Sequence, residues 1–344
     1  MPVPPSSILA ERLASQGLSG PALADPVAVA ERLLAVQGQD PRGFRLAVRV
    51  RTEDLTAADV EGALAARQLV VTWLNRGTLH LVSGEDYPLL QALTTPPLLT
   101  SSARRLRQEG VSEAAAERAV ATIERALADE GPLTRIELRE RLDSADVGTE
   151  GQAMIHLLFL AALRGVAVRG PMVGKQHAYV LVREWLGEAR PLDRDEALAE
   201  LACRYLRGHQ PANDRDLAKW AGLPLRDARA GLRAIGAELE EGEDGLVRLA
   251  KREEAQPLPA PRLLGAFDPV LLGWTSREPI LGPHTNLVTR NGMFHPFAMA
   301  DGRAVAKWGM PGGEVTVEPL ESIPARVSAA LEADATDVTR FLGA

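Results

Sequence analysis

Residues 70–82 read Val-Val-Thr-Trp-Leu-Asn-Arg-Gly-Thr-Leu-His-Leu-Val, two β-rich runs folded about Asn75, Arg76 and Gly77. Such runs around a short Gly-containing tip predict a hairpin. Upstream, apolar periodicity predicts helices over 6–14, from Asp25 or Pro26 to Val36, and over 56–67. Pro26 follows an Asp cap, and Thr56 is placed to cap the third helix, with Asp59 and Glu61 complementing its start. Helices followed by a short hairpin are the order of a winged helix.

The order recurs twice. Helices are expected over 113–129, 134–142 and from 149 or 150 to 164, ahead of a hairpin over 165–182 with a Gly-rich tip. A third pass gives helices over 194–207, 214–221 behind Asn213, and 224–235, then a short β pair over 241–249. An internal repeat of about 65–75 residues says more than any one unit. Residues 251–261 are charged and then Pro-rich, which marks a boundary. Beyond it, strands are expected at 263–267, 287–290, 294–300, 303–307 and 314–318. The Asn291-Gly292 and Asp301-Gly302 turns make them an antiparallel meander, closed by a helix over 323–332. The expected fold is α+β. Three tandem winged-helix units (1–112, 113–188 and 189–255) surround a concave, DNA-sized face, with a C-terminal antiparallel β domain over 256–344.

With 344 residues, 46% of them hydrophobic and 25% charged, the chain falls among globular rather than disordered proteins. It holds no uncharged apolar run of roughly eighteen residues, and its first six residues lack a signal-peptide pattern. A cytoplasmic protein without membrane contact is therefore expected, associated with the nucleoid when engaged on DNA. A single cysteine, Cys203, excludes an internal disulfide or a Cys-based metal site. His177, His209, His284 and His295 lie apart without metal-ligand spacing, and no phosphate-binding glycine loop occurs. Neither metal nor cofactor is expected.

A net charge of −7 argues against coating nucleic acid by bulk electrostatics, yet arginines cluster. Arg42, Arg45, Arg49 and Arg51 fall together, as do Arg104, Arg105 and Arg107, while Arg226, Arg229 and Arg233 share a face of the helix over 224–235. Only four basic residues are lysine, so anion contacts fall mainly to guanidinium groups. Arg42, Arg45, Arg76, Arg226 and Arg229 are the expected DNA contacts, although a solvated helix face explains the last two equally well.

The strongest chemical signal follows the second helix, where residues 36–43 read V-Q-G-Q-D-P-R-G. Glutamines at i and i+2 in extended chain project to one side and offer a single water both donors and acceptors without charge. On the residues alone, a solvated helix end is the commoner explanation of such a pair. Asp40 offers negative charge to an oxocarbenium sugar, but before Pro41 a helix cap is the stronger reading. His80 alternates with Leu79 and Leu81, as expected of a histidine hydrogen-bonded beneath a site. Asn291 and His295 flank Met293 and Phe294 in a hairpin that either enters a groove or buries its aromatics in the sheet.

Four stretches, V-Q-G-Q-D-P-R (36–42), T-W-L-N-R-G-T-L-H-L (72–81), L-A-K-W-A-G-L-P-L-R-D-A-R (217–229) and F-D-P-V-L-L-G-W (267–274), together resemble the winged-helix DNA glycosylases typified by AlkZ and YcaQ. The resemblance covers essentially the whole chain, with the motifs in family order. It implies that Gln37 and Gln39 are the catalytic Gln-x-Gln pair. Gly38 stands where the family usually has a larger apolar residue, which predicts a looser backbone there. It further implies cofactor-free, monofunctional hydrolysis of the N-glycosidic bond of a cationic alkylated purine of the N7-alkylguanine type. It also implies double-stranded DNA as the substrate, with unhooking of interstrand cross-links as an extension of the same reaction, and a monomer is expected. The rival reading is a non-catalytic winged-helix DNA-binding regulator, with a protein-interaction scaffold behind it.

Overall fold

Asp25 opens the first repeat. Its side chain accepts from Ala28 N at 2.8 Å and starts α2 (Pro26–Leu33), which follows α1 (Ser7–Ser15). These and all later positions come from a computed structural model that describes residues 7–188, 192–252 and 256–343. Helix α2 stops short of the predicted Val36 because Leu34 takes φ 61°, a left-handed conformation that no α-helix continues through. The chain then enters a two-residue strand, β1 (Val36–Gln37). Asp40 caps a further helix, α3 (Pro41–Arg49), which periodicity did not predict; α4 (Ala57–Ala65) and the hairpin β2 (Leu69–Leu74) and β3 (Thr78–Ser83) complete the unit. After α5 (Tyr87–Thr94) and α6 (Pro96–Gln108), the order returns as α7 (Glu113–Glu130), α8 (Arg135–Asp143), α9 (Ala153–Leu163), β4 (Ala167–Val173) and β5 (Gln176–Leu181). Behind the short α10 (Val182–Trp185), it returns again as α11 (Arg194–His209), α12 (Asp214–Ala221), α13 (Leu225–Ala234), β6 (Leu239–Glu241) and β7 (Val247–Leu249).

In each repeat the third residue beyond the end of the opening helix pairs antiparallel with the second strand of the hairpin. The pairs are Val36 with Leu81, Leu133 with Tyr179, and Ala212 with Val247. The wings, however, are not all free. Strands β1 to β5 form one antiparallel sheet in the order β1-β3-β2-β4-β5, joined between repeats where Val71 pairs with Arg169. The physical reason lies in L-V-V-T-W-L: every residue of β2 is buried, so the strand needs neighbours on both edges and cover on both faces. Helix α9 is enclosed as well, with Leu157, Leu158, Leu160 and Ala161 buried, and α6 lies across it. This helix, third in its repeat, is therefore not presented to a groove.

The boundaries expected at 188/189 and 255/256 adjoin residues 189–191 and 253–255, which lie outside the described residues, as do the first six. Strand β8 (Arg262–Leu264) is shorter than expected. With β9 (Phe297–Ala300), β10 (Arg303–Gly309) and β11 (Thr316–Pro319) it forms an antiparallel sheet, ordered β11-β10-β9-β8. The short α14 (Glu278–Leu281) precedes β9, and α15 (Ala325–Leu342) closes the chain beyond the predicted end at 332. The meander is a ladder at Asp301-Gly302 but not at Asn291-Gly292. There a single bridge, Val288 with Phe294, closes a tight loop, because Leu287 and Phe294 are drawn into a core with Phe267 and Leu271. A second core joins α2, α3 and α4 to the C-terminal sheet and α15, and a third packs α11, α12 and α13 on one face of the five-stranded sheet. That face carries Val70, Leu74, Val82 and Val168, and it also carries Gln37.

Candidate catalytic site and nucleic-acid interface

Gln37 stands opposite His80, and His80 stands opposite Thr72, so one polar row crosses three strands of a mainly apolar face. Gln37 is buried, whereas Gln39, two residues on, is exposed at the sheet edge. Among the described residues, neither glutamine amide has a hydrogen-bond partner. His80 Nδ1 lies 2.9 Å from Thr78 O and donates to it, which leaves Nε2 as the acceptor. Burial, and then the charge of Arg76, push the His80 pKa down to about 3, so the ring is neutral wherever the protein is near neutral pH.

The repeat itself marks this segment as unusual. In the second repeat the paired residue Leu133 is followed at once by the helix cap Thr134, and in the third Ala212 is followed at once by Asn213. In the first, Gly38 and Gln39 intervene between β1 and the cap Asp40. The Gln-x-Gln segment is thus an insertion into a frame that the other repeats keep closed. Gly38 is held by its N–H, which donates to Leu79 O at 2.7 Å, so the backbone is pinned at the position where the sequence predicts looseness. A Cβ there would meet Leu81 N and Val71 Cγ1 at 3.6 Å, ordinary contact. Gly38→Ala is accordingly expected to raise the unfolding free energy by about 0.4–1 kcal/mol without loss of base release. A lower urea midpoint would contradict it.

Asp40 Oδ1 accepts from Gly43 N at 2.6 Å and so starts α3, the helix-cap role that the sequence favours for it over support of a reacting sugar. Arg45 departs from expectation. It is buried, pairs with Glu61 and donates to the Pro41 carbonyl, so it cannot reach a phosphate. Arg49 joins Asp334 and Asp337 of α15 at 2.9 Å, and Arg51 joins Asp268 at 2.8 Å with both side chains fully enclosed. Of that cluster Arg42 alone remains exposed.

Three comparisons bear on this arrangement. The chain matches the AlkZ-like DNA glycosylase family over residues 30–341. It is 30% identical over 338 residues to the interstrand DNA cross-link repair glycosylase of Streptomyces sahachiroi, covering 92% of this chain and 90% of that protein. The solved structure of the Streptomyces sahachiroi DNA glycosylase AlkZ superposes with a TM-score of 0.80 at 27% identity, covering 98% of this chain and 96% of that one. The chain belongs to the AlkZ-like DNA glycosylase family. It is an enzyme that hydrolyses N-glycosyl bonds in DNA, and the regulator reading gives way.

In this AlkZ-like glycosylase the remaining predicted contacts are dispersed. Arg226 is 85% exposed on its side chain, close to Asp227, while Arg229 is tied to Asp214 at 2.7 Å. Asn291 and His295 are exposed on the loop whose Phe294 is buried against Phe267, their ring centroids 5.3 Å apart. Arg76 keeps solvent access at the hairpin tip, but its guanidinium donates to the Lys219 and Trp220 carbonyls and so also fastens the first repeat to the third. Gly222 permits that approach: its φ is +73°, and a Cβ would come within 2.8 Å of Arg76 N. Two cations that sequence reading passed over, Lys219 and Arg277, stand beside Arg76. Each stands apart from other basic clusters in sequence, and Lys219 was visible only as one of four lysines and as a member of the 217–229 stretch. Among the described residues no group of three or more His, Cys, Asp or Glu is placed to hold a metal, and no helix is long and apolar enough to cross a membrane.

Proposed function

We propose that the enzyme releases cationic alkylated purines, of the N7-alkylguanine type, from double-stranded DNA, with Gln37 and Gln39 positioning the attacking water. The observation that carries this reading is the inserted Gln-x-Gln segment, whose amides are unpartnered beside a neutral histidine. Water attacks C1′ as the C1′–N9 bond breaks. The bonding electrons enter the cationic imidazolium ring, neutral alkylguanine leaves, and the water proton passes to solvent. An already cationic base needs no strong general acid, so the work left to the protein is holding the water and stabilising the oxocarbenium-like sugar. Two amides supply dipoles for both. His80, its pKa far below neutrality, stands opposite Gln37 as a neutral hydrogen-bond acceptor for the water rather than as a proton acceptor.

The relative from Streptomyces sahachiroi is named for interstrand cross-link repair, and we extend that substrate to this chain. Gln39 lies exposed at an edge strand, so a bulky or tethered adduct can approach without being enclosed. Chemically, unhooking is the same C1′–N9 cleavage at one end of the tether. We take the enzyme to act as a monomer, with one site in each chain.

Single-turnover incubation with duplex DNA carrying 7-methylguanine, and with a duplex cross-linked through guanine N7 atoms, tests the reading. Base release from the first and strand separation of the second, both above spontaneous depurination, are expected. If both duplexes stay intact beyond the spontaneous rate, the substrate assignment is wrong.

A further inference from the structure

Three cations converge where the first repeat, the third repeat and the C-terminal part of the chain meet. Arg76, at the β2–β3 tip, donates to Lys219 O at 2.8 Å. Lys219 Nζ in turn donates to Thr275 O at 3.1 Å. Two residues further on, Arg277 Nε donates to Leu271 O at 2.8 Å, and its guanidinium lies 5.0 Å from the Phe294 ring centroid. All three are thus aimed by backbone carbonyls. Among the described residues none has a carboxylate within ion-pair distance, whereas the buried arginines Arg12, Arg45, Arg49, Arg51 and Arg248 each have one. The nearby Asp216 is occupied: Oδ1 accepts from Thr275 N and Oγ1, and Oδ2 accepts from Asn213 N.

This is an unfavourable arrangement for the protein alone. Desolvation lowers the pKa of each group, and each of Arg76 and Lys219 is lowered further by the positive charge of Arg277, with Asp216 opposing the shift at Lys219 without reversing it. Lys219 lies in the last turn of α12, where the helix dipole favours a cation, but this accounts for one of the three. The lysine and both arginines retain N–H groups that no carbonyl uses. Like charges held together with no carboxylate in ion-pair contact are what a polyanion would relieve.

We propose that Arg76, Lys219 and Arg277 form a seat for a backbone phosphodiester of the DNA strand that carries the lesion. This rests on the reading above that duplex DNA is the substrate. The seat is fixed to the catalytic row through β3, since Arg76 and His80 belong to one hairpin and His80 faces Gln37. A phosphate held there sets the register of the strand against Gln37 and Gln39. The same seat also couples the strand to the 288–294 loop through Phe294 and to α12 through Lys219.

The test is binding of a fluorescein-labelled undamaged duplex between 50 and 200 mM KCl, by wild type, Lys219→Gln/Arg277→Gln, and a control, Arg326→Gln, which removes a positive charge on α15. The double variant is expected to bind at least tenfold more weakly at 100 mM KCl, with the log–log salt slope shallower by about 0.9 for each phosphate that is no longer neutralised. The control should keep the wild-type slope, and Lys219→Arg/Arg277→Lys should restore most of the binding, which separates a missing charge from a failure to fold. An unchanged slope in the double variant, or an equal loss of affinity in the control, overturns the proposal while leaving the duplex reading intact. Absence of salt-dependent duplex binding by the wild type overturns both.

Discussion

Replacing Asp268 by alanine is expected to lower the unfolding free energy by about 3–5 kcal/mol, the usual effect of leaving one member of a buried ion pair without the other. Arg51 and Asp268 are both fully enclosed, with Nη2 to Oδ1 at 2.8 Å and Nη1 to Oδ2 at 3.0 Å. Arg51 also donates to the Gln16 and Ala47 carbonyls, and Asp268 accepts from Val270 N. Without the carboxylate, the guanidinium remains locked in place among these acceptors, buried and uncompensated. A typical domain has only about 5–15 kcal/mol in total, so a large share of the stability disappears. Asp268→Asn, which keeps an acceptor for Val270 N, should fall between the two. Urea denaturation of the three proteins measures this, and a loss below about 1 kcal/mol for Asp268→Ala would refute the account.

The pair matters for function because of what it fastens. Residues 265–268 cross α3 so closely that a Cβ on Gly43 would come within 2.3 Å of Ala266 O, and Gly265 lies against Gly43 in the same way. Helix α3 begins directly after Gln39, at the cap Asp40. The F-D-P-V segment therefore clamps the helix that ends the inserted Gln-x-Gln loop, while Arg49 ties the same helix to α15 through Asp334 and Asp337. In physical terms the C-terminal part of the chain is a brace for the glutamine loop.

What could be read in sequence follows from this division between local and distant forces. The hairpin over 70–82 and the caps Asp25, Thr134 and Asn213 were legible, because each depends on neighbours within a few residues. Helix α3 was not. Its sequence does carry a polar stripe, Arg42, Arg45 and Arg49 at helical spacing, but seven of its nine residues are buried, Arg45 and Arg49 among them, so the stripe does not mark a solvent-facing side. Its arginines are acceptable inside only because Glu61, Asp334 and Asp337 arrive from elsewhere. The fusion of two wings into one sheet depends on Val71 meeting Arg169. The early end of α2 depends on Leu34 adopting a conformation that leucine rarely takes. For the site, the Gln-x-Gln pair and the row position of His80 were visible as residues, and the neutrality of His80 was not, since it arises from burial beneath elements distant in sequence.

Removing both glutamine amides, Gln37→Ala/Gln39→Ala, is expected to lower single-turnover release of 7-methylguanine by about 10²–10⁴-fold, the scale on which preorganised dipoles at a reacting centre act. Duplex affinity should change by less than about threefold, because the phosphate seat and the outer arginines are untouched. The single variants should each lose most of what the double variant loses, since one water held by two groups is released when either is gone, and such effects do not add. Gln37 is the more demanding position. It is buried opposite His80, and an alanine there leaves the histidine acceptor without its neighbour across the strands. The wild-type rate should also be flat from about pH 5.5 to 8.5. The folded-state pKa of His80 is depressed to about 3, so the imidazole is neutral throughout that window and would gain a proton only well below it. An inflection near pH 6.5 that disappears in His80→Gln would make the histidine a titrating general base and would sink the amide-only account. Release that survives in the double variant would remove the Gln-x-Gln insertion from the chemistry altogether.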